Sequence, residues 1–271
     1  MILRVLAILT LVTALSADEG QLNPASPAGI TPDQIIQRFA AKEKEFSAAR
    51  ENYIFRQSVK VQTLDGSTVD GEYQMVVDVG FDDKRRRAES VIFAPQSSLR
   101  RISMSPEDFS DLENRIPFAL TSDEIHQYNI GYIGQQRVDE LDTYVFDVSP
   151  KTLEKGKRYF EGRIWVDSQD FQIVKTFGKS VPDMRKKKGE ENLFPKFTTY
   201  REQIDGKYWF PTYTAANDTL HFQTGPQRIR MLVKYQDYKY FGSESTIKFE
   251  GVTEQPAQKQ PAPAPVPTPR P

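Results

Sequence analysis

Along this chain the spacing of apolar residues changes once, from a helical period to an alternating one. Ile35, Ile36, Phe39, Ala40 and Phe46 recur three and four apart, which predicts one amphipathic helix with a buried face. Thr31 is placed to cap it, Pro32 suits the first helical position, and Gln34 stands where a capping-box partner belongs. After Asn52 the period becomes two. Tyr53, Phe55, Val59 and Val61 alternate with Arg56, Ser58, Lys60 and Gln62, Asp65-Gly66 predicts a turn, and Tyr73, Met75, Val77, Val79 and Phe81 alternate with polar partners.

The alternation returns at Tyr144, Phe146 and Val148, at Ile164 and Val166, at Phe171 and Ile173, and at Ile229, Met231, Val233 and Tyr235. Strands with one apolar and one polar side predict an antiparallel meander, because a parallel sheet covered on both faces reads as continuous apolar runs. One helix does not cover such a sheet, so the sheet either closes into a barrel or stays open around a second body. Ser105–Leu112 and Thr121–Ile125 read as short helices opened by capping hydroxyls, serving as lids over the mouth or as ordinary connections.

Composition marks the ends of the folded zone. Arg4 and the apolar run Val5–Leu15, closed by Ala14-Leu15-Ser16, read as an export signal over residues 1–16, too short to span a bilayer as a helix; an uncleaved anchor is the alternative. Residues 17–30 read as a flexible lead-in, 31–251 as one domain of about 220 residues, and 252–271 as a Pro-rich disordered tail. The last sixteen residues, as polyproline II, would reach about 50 Å, as a solvated spacer or as a ligand for an envelope protein.

Charge and chemistry narrow the function. The chain has 36 basic residues, of which Arg4 leaves with the signal, against 37 acidic ones, so nucleic acid is not an expected partner. It has no cysteine, hence neither a disulfide nor a lipid-bearing cysteine. His126 and His221 stand alone, and no Gly-x-Ser-x-Gly elbow or phosphate-cradling Gly loop occurs. Acidic residues such as Asp139-Glu140 and Asp142 have the look of turns. No catalytic residue, cofactor or metal is therefore expected.

The order Tyr144-Val145-Phe146-Asp147-Val148-Ser149-Pro150-Lys151, Gly162-Arg163-Ile164-Trp165-Val166-Asp167, Phe171-Gln172-Ile173-Val174-Lys175 and Ile204-Asp205-Gly206-Lys207-Tyr208-Trp209-Phe210-Pro211 resembles the LolA/LolB-like superfamily of outer-membrane lipoprotein carriers. The resemblance covers about Asn129 to Phe249 well, and the opening helix and first strands in outline. It implies a mainly β fold with helices, an open antiparallel half-barrel wrapped around helices. It also implies periplasmic binding of lipid acyl chains or a lipoprotein, by a monomer, without catalysis. The region from Lys84 to Tyr128 has no counterpart, and the family's lid-controlling arginine has no evident equivalent.

On that reading the expected cavity lining is Tyr73, Met75, Val77, Phe146, Ile164, Val166, Phe171, Ile173, Met231 and Val233, residues that any β core would also use. Two basic clusters, Arg85, Arg86 and Arg87 and the run holding Lys186 and Lys187, sit at turns. They are solvated loops, or contacts for lipid phosphates or an acidic partner if they flank the cavity mouth.

Overall fold

The computed structural model describes residues 19–82, 84–185 and 191–241. The period-two stretches become strands β1 (Tyr53–Asp65), β2 (Thr68–Phe81), β3 (Arg87–Phe93), β4 (Tyr128–Val138), β5 (Leu141–Pro150), β6 (Tyr159–Asp167) and β7 (Ile173–Val181). After them come the short β8 (Met184–Arg185) and β9 (Glu191–Asn192), then β10 (Phe197–Ile204), β11 (Tyr208–Phe222) and β12 (Gly225–Tyr240). Ten of them form one antiparallel sheet in the order β3-β2-β1-β12-β11-β10-β7-β6-β5-β4, and β8 and β9 form a separate two-stranded pair. The terminal strands β3 and β4 do not meet, so the sheet is an open half-barrel.

Its turns follow local chemistry. Asp205 and Gly206 both take positive φ, 53° and 66°, in the three-residue connection of β10 to β11, left-handed positions that Asp and Gly tolerate. Phe171, expected inside a strand, instead adopts φ 57° in the β6–β7 connection, and β7 begins at Ile173. Asp167 causes this: its carboxylate accepts from the amides of Gln169 and Asp170, each at 2.9 Å, and winds the chain into a turn before the ladder resumes.

Helix α1 (Pro32–Arg50) starts on the expected capping box, Gln34 N donating to Thr31 Oγ1 at 3.2 Å and Thr31 N to Gln34 Oε1 at 3.0 Å. It buries Ile35, Phe39, Ala40, Glu43 and Phe46 in the concave side of the sheet, with Phe39 packed on Phe146 and Phe46 on Phe210. Helix α2 (Pro106–Asn114) has the same device, with Ser105 and Asp108 as its box. Thr121–Ile125 is not a helix. The Thr121 carbonyl accepts from the amides of Glu124 and Ile125, and only a single 3-10 turn, Ile125–Gln127, follows before β4.

The stretch with no counterpart in the sequence resemblance proves structural. After α2 the chain runs through the interior, burying Ile116, Phe118 and Leu120. Phe118 stacks on Phe160 with centroids 4.4 Å apart, and Thr199 Oγ1 donates to the Ile116 carbonyl at 3.2 Å. The hollow of the half-barrel is thus occupied over most of its length by α1 and this segment.

Residues 19–25 differ from a free lead-in. They run beside the edge strand β4, bridging Glu19 to Val138 and Asn23 to Gln135. Leu22 packs on the outer-face cluster of Val138, Val145, Trp165 and Val174, and the Tyr132 hydroxyl donates to the Ala25 carbonyl. The Pro/Ala/Ser content hid this strap because its bonds are to backbone, which composition does not report. Residues 1–18 and 242–271, with the export signal and the Pro-rich tail, lie outside the described residues.

Candidate functional site: an apolar cavity at one end of the half-barrel

The strand registers define two ends. Tyr53 pairs with Tyr240 and Phe81 with Arg87 at one; Leu64 pairs with Arg228 and Leu220 with Gln227 at the other. At this Leu64 end lies a cavity of about 670 Å³. Its floor is the concave face: Val61 of β1, Leu220 of β11, and Ile229 and Met231 of β12. Its walls are the loop and helix from Arg101 to Leu112 on one side and the chain from Glu191 to Pro195, with Met184, on the other. Met104, Met184 and Met231 all line it, and methionine supplies apolar walls that adapt to differently shaped guests.

Polar groups at this site are mostly bonded to one another. Arg158 donates to Asp111 of α2 and to Asn192 of β9, whose amide in turn donates to Ser105 Oγ at 2.6 Å and to Asp108 at 3.2 Å. This network ties α2 to the β8–β9 hairpin across the mouth. Burial pushes the Asp111 carboxyl above its ordinary range, and the Arg158 guanidinium works in the opposite direction. Arg101 donates to Gln227 and pairs with Asp70 at 3.1 Å. With the rim so engaged, the groups turned to a guest are chiefly hydrocarbon: Ile102, Met104, Leu112, Leu193, Phe194, Leu220, Phe222 and Ile229.

The residues expected to line a cavity do come together. Val77, Phe146, Ile164, Val166, Ile173, Met231 and Val233 are buried in one cluster, and Tyr73, Met75 and Phe171 pack on its margin. Of the ten, Met231 alone reaches the cavity; the others belong to or border the main core cluster, which also holds Ile35, Phe39, Ile116, Phe118 and Leu120. Leu193, Leu220, Ile229, Ile102 and Phe222, a separate apolar cluster at the cavity, were missed. The alternation Leu220, Phe222 around His221 was their available signal.

Arg85, Arg86 and Arg87 are at the Tyr53 end, away from the cavity. Each is held by an acidic side chain: Arg85 by Glu51 at 3.1 Å, Arg86 by Asp82 at 2.7 Å and Arg87 by Glu89 at 2.6 Å. Arg87 also donates inward to Gln57 at 2.6 Å. Lys186 and Lys187 lie outside the described residues. A second hollow, about 940 Å³, opens on the outer face of β5, β6, β7 and β10. There Arg163 pairs with Asp147, Lys179 with Asp183 and Lys175 with Glu19 of the strap, so it is a crevice of satisfied ion pairs. Among the described residues no three His, Asp or Glu side chains converge as a metal site would require.

No family model matches the chain, and no curated protein does. Among solved structures it is similar to a DUF1329 family protein from Desulfovibrio piger, with 15% identity, TM-score 0.36, and coverage of 74% of this chain and 90% of that one. It is similar also to the LolA superfamily protein NE2245 from Nitrosomonas europaea, with 15% identity, TM-score 0.33, and coverage of 74% and 94%. A third likeness is to the MucA/MucB complex structure from Pseudomonas aeruginosa, with 9% identity, TM-score 0.22, and coverage of 77% and 98%.

Proposed function

We propose that the protein is an exported envelope binding module that takes an acyl chain, of a lipid or of a lipidated polypeptide, into the cavity at the Leu64 end. The observation that carries this reading is the cavity's combination of size and walls. About 300 to 1,000 Å³ is the usual span of small-molecule sites, and 670 Å³ walled by Leu, Ile, Phe and Met, with polar residues such as Arg101, Glu107 and Asn192 among the lining, falls within it. Each methylene moved from water into such a site contributes about 0.8 kcal/mol, so ten of them supply about 8 kcal/mol before the cost of association. Micromolar binding corresponds to about 8 kcal/mol net, so a chain of about sixteen methylenes, about 13 kcal/mol before an association cost of about 4 kcal/mol, reaches it without a charged anchor.

A second reading, a non-catalytic sensor or scaffold on the same fold, is favoured by the filled interior. Where α1 and residues 116–120 pack against Phe146, Phe160 and Phe197, no room is left for a guest along the length of the sheet. Native mass spectrometry of protein purified from cells separates the two. The carrier reading expects a retained lipid mass that is lost when Leu220→Trp fills the cavity. Protein that is empty under every mild extraction supports the scaffold.

A further inference from the structure

Four buried polar atoms without a hydrogen-bond partner among the described residues stand on neighbouring elements: Arg50 Nε of α1, Arg201 Nε of β10, Thr212 Oγ1 of β11 and Tyr235 Oη of β12. All four can donate, and none belongs to a carboxylate. A buried donor left unpaired costs as much as a lost hydrogen bond, so such a group of donors calls for an acceptor.

Packed rings join these positions. Phe46 lies 5.2 Å from Phe210, Phe210 4.7 Å from Tyr238, Tyr238 5.1 Å from Phe55, and Phe55 6.1 Å from Tyr235, all between centroids. The Arg201 and Arg50 guanidinium carbons lie 5.0 and 6.0 Å from the Phe46 centroid. Tyr235 pairs across the ladder with Gln57, whose Oε1 accepts from Arg87 of β3 at 2.6 Å. None of these residues lines the cavity at the Leu64 end.

The charges in this recess do not balance. Arg201 is paired with Glu43 at 3.0 Å and Arg87 with Glu89 at 2.6 Å. Arg50 has no ion pair among the described residues, because Glu51 beside it is taken by Arg85 at 3.1 Å. Burial first, and then the like charge of Arg201, pulls the Arg50 pKa down, yet a guanidinium stays protonated. The C-terminal end of α1 offers it only a partial negative charge. Glu113 of α2, which also acts on no group here but Arg87 and Glu89, is held toward its neutral form by burial. Burial likewise pushes the Tyr235 hydroxyl up, which keeps its proton available for donation. Arg50 itself is half-buried, so the recess is reached from solvent at the Tyr53 end.

We infer that this recess binds one small monovalent anion, chloride, through the Arg50 guanidinium and the Tyr235 hydroxyl. One uncompensated cation sets the charge, since a divalent oxyanion would leave a buried negative charge without a partner. The ring walls set the kind of ion, since aromatic edges are electropositive and suit a compact, easily dehydrated halide. Bound there, the ion completes the set of pairs that fixes the last turn of α1 on β10 and β12.

Thermal unfolding of the full-length protein tests this, with sodium chloride replacing sodium gluconate at constant ionic strength. An ion that binds only the folded state raises the melting temperature along a saturable curve, by about 4 °C at tenfold above its dissociation constant. That response is expected in the native protein and in Arg86→Met, a change at an exposed arginine, and is expected to vanish in Arg50→Met. Tyr235→Phe keeps the ring and is expected to move the midpoint of the chloride response about tenfold higher. A native protein indifferent to chloride, an undiminished response in Arg50→Met, or an unmoved midpoint in Tyr235→Phe would each overturn the inference. If Arg50→Met does not fold, the Tyr235→Phe midpoint decides.

Discussion

Arg201 Nη1 of β10 lies 3.0 and 3.1 Å from the two carboxylate oxygens of Glu43 on α1, and neither side chain is exposed. Around this pair the interior is tied together. Glu43 Oε1 also accepts from the Ile173 amide at 3.2 Å, and Arg201 Nη2 donates to the Phe118 carbonyl. One ion pair thus joins the helix, two strands and the interior segment. The Arg201 guanidinium lies over the Phe46 ring, 5.0 Å from its centroid, so packing and charge fix the same rotamer.

Removing one partner strands a charge in a low-dielectric interior, which typically costs about 3 to 5 kcal/mol. Glu43→Gln and Arg201→Met are each expected to lower urea-unfolding stability by that order. The double change Glu43→Gln with Arg201→Met is expected to cost well under the sum. Additive losses in the double-mutant cycle would show that the two side chains act independently.

Tyr53 gives a signed pH effect. Burial, then the hydrogen bond its hydroxyl donates to Asp205 at 3.0 Å, pushes its pKa up to about 12 from an ordinary value near 10. The folded state therefore holds this proton more tightly than the unfolded chain does. Its contribution to stability is complete below about pH 10 and is lost as pH rises toward 12. Tyr53→Phe should remove about one proton's worth of slope from stability against pH in that window. Parallel curves for the two proteins would refute the assignment.

The strap rests on a glycine. Gly134 has φ +148°, and a Cβ there would stand 2.4 Å from the Asn23 carbonyl oxygen. Gly134→Ala is expected to push residues 19–25 off β4, seen as faster amide exchange and new protease sites in that stretch, with α1 still protected. A strap that stays protected in the variant would mean the backbone accommodates the methyl group by another route.

Val77 and Met231 were equivalent on the sequence pattern and are different in the fold. Val77 is fully buried against the interior, whereas Met231 borders the cavity. Val77→Trp is therefore expected to lower stability by about 1 to 3 kcal/mol through overpacking. Met231→Trp should fill empty space at smaller cost, as thermal unfolding of the two variants would show. Equal losses would contradict this placement.

How far the chain could be read before its structure follows from which interactions are local. The capping box at Thr31, the capping hydroxyl of Ser105, the Asp65-Gly66 turn and the period of two at Ile229–Tyr235 are set by neighbours in sequence, and each expectation matches the fold. Three features were opaque for the opposite reason. The interior path of Ile116, Phe118 and Leu120 depends on Arg201 and Thr199, more than eighty residues away. The strap depends on backbone bonds to β4. The cavity depends on where α2 and residues 191–195 stop short of the sheet, and an alternating pattern marks a strand's inner face without telling which part is covered by the protein itself.

Titration of the native protein with a fluorescent fatty acid, beside the folded Leu220→Trp variant, probes the cavity most directly. Saturable one-site binding at micromolar concentration, lost in the variant at unchanged melting behaviour, is the result expected of an acyl-binding cavity. Absence of saturable uptake by the native protein, or equal uptake by both, would contradict it.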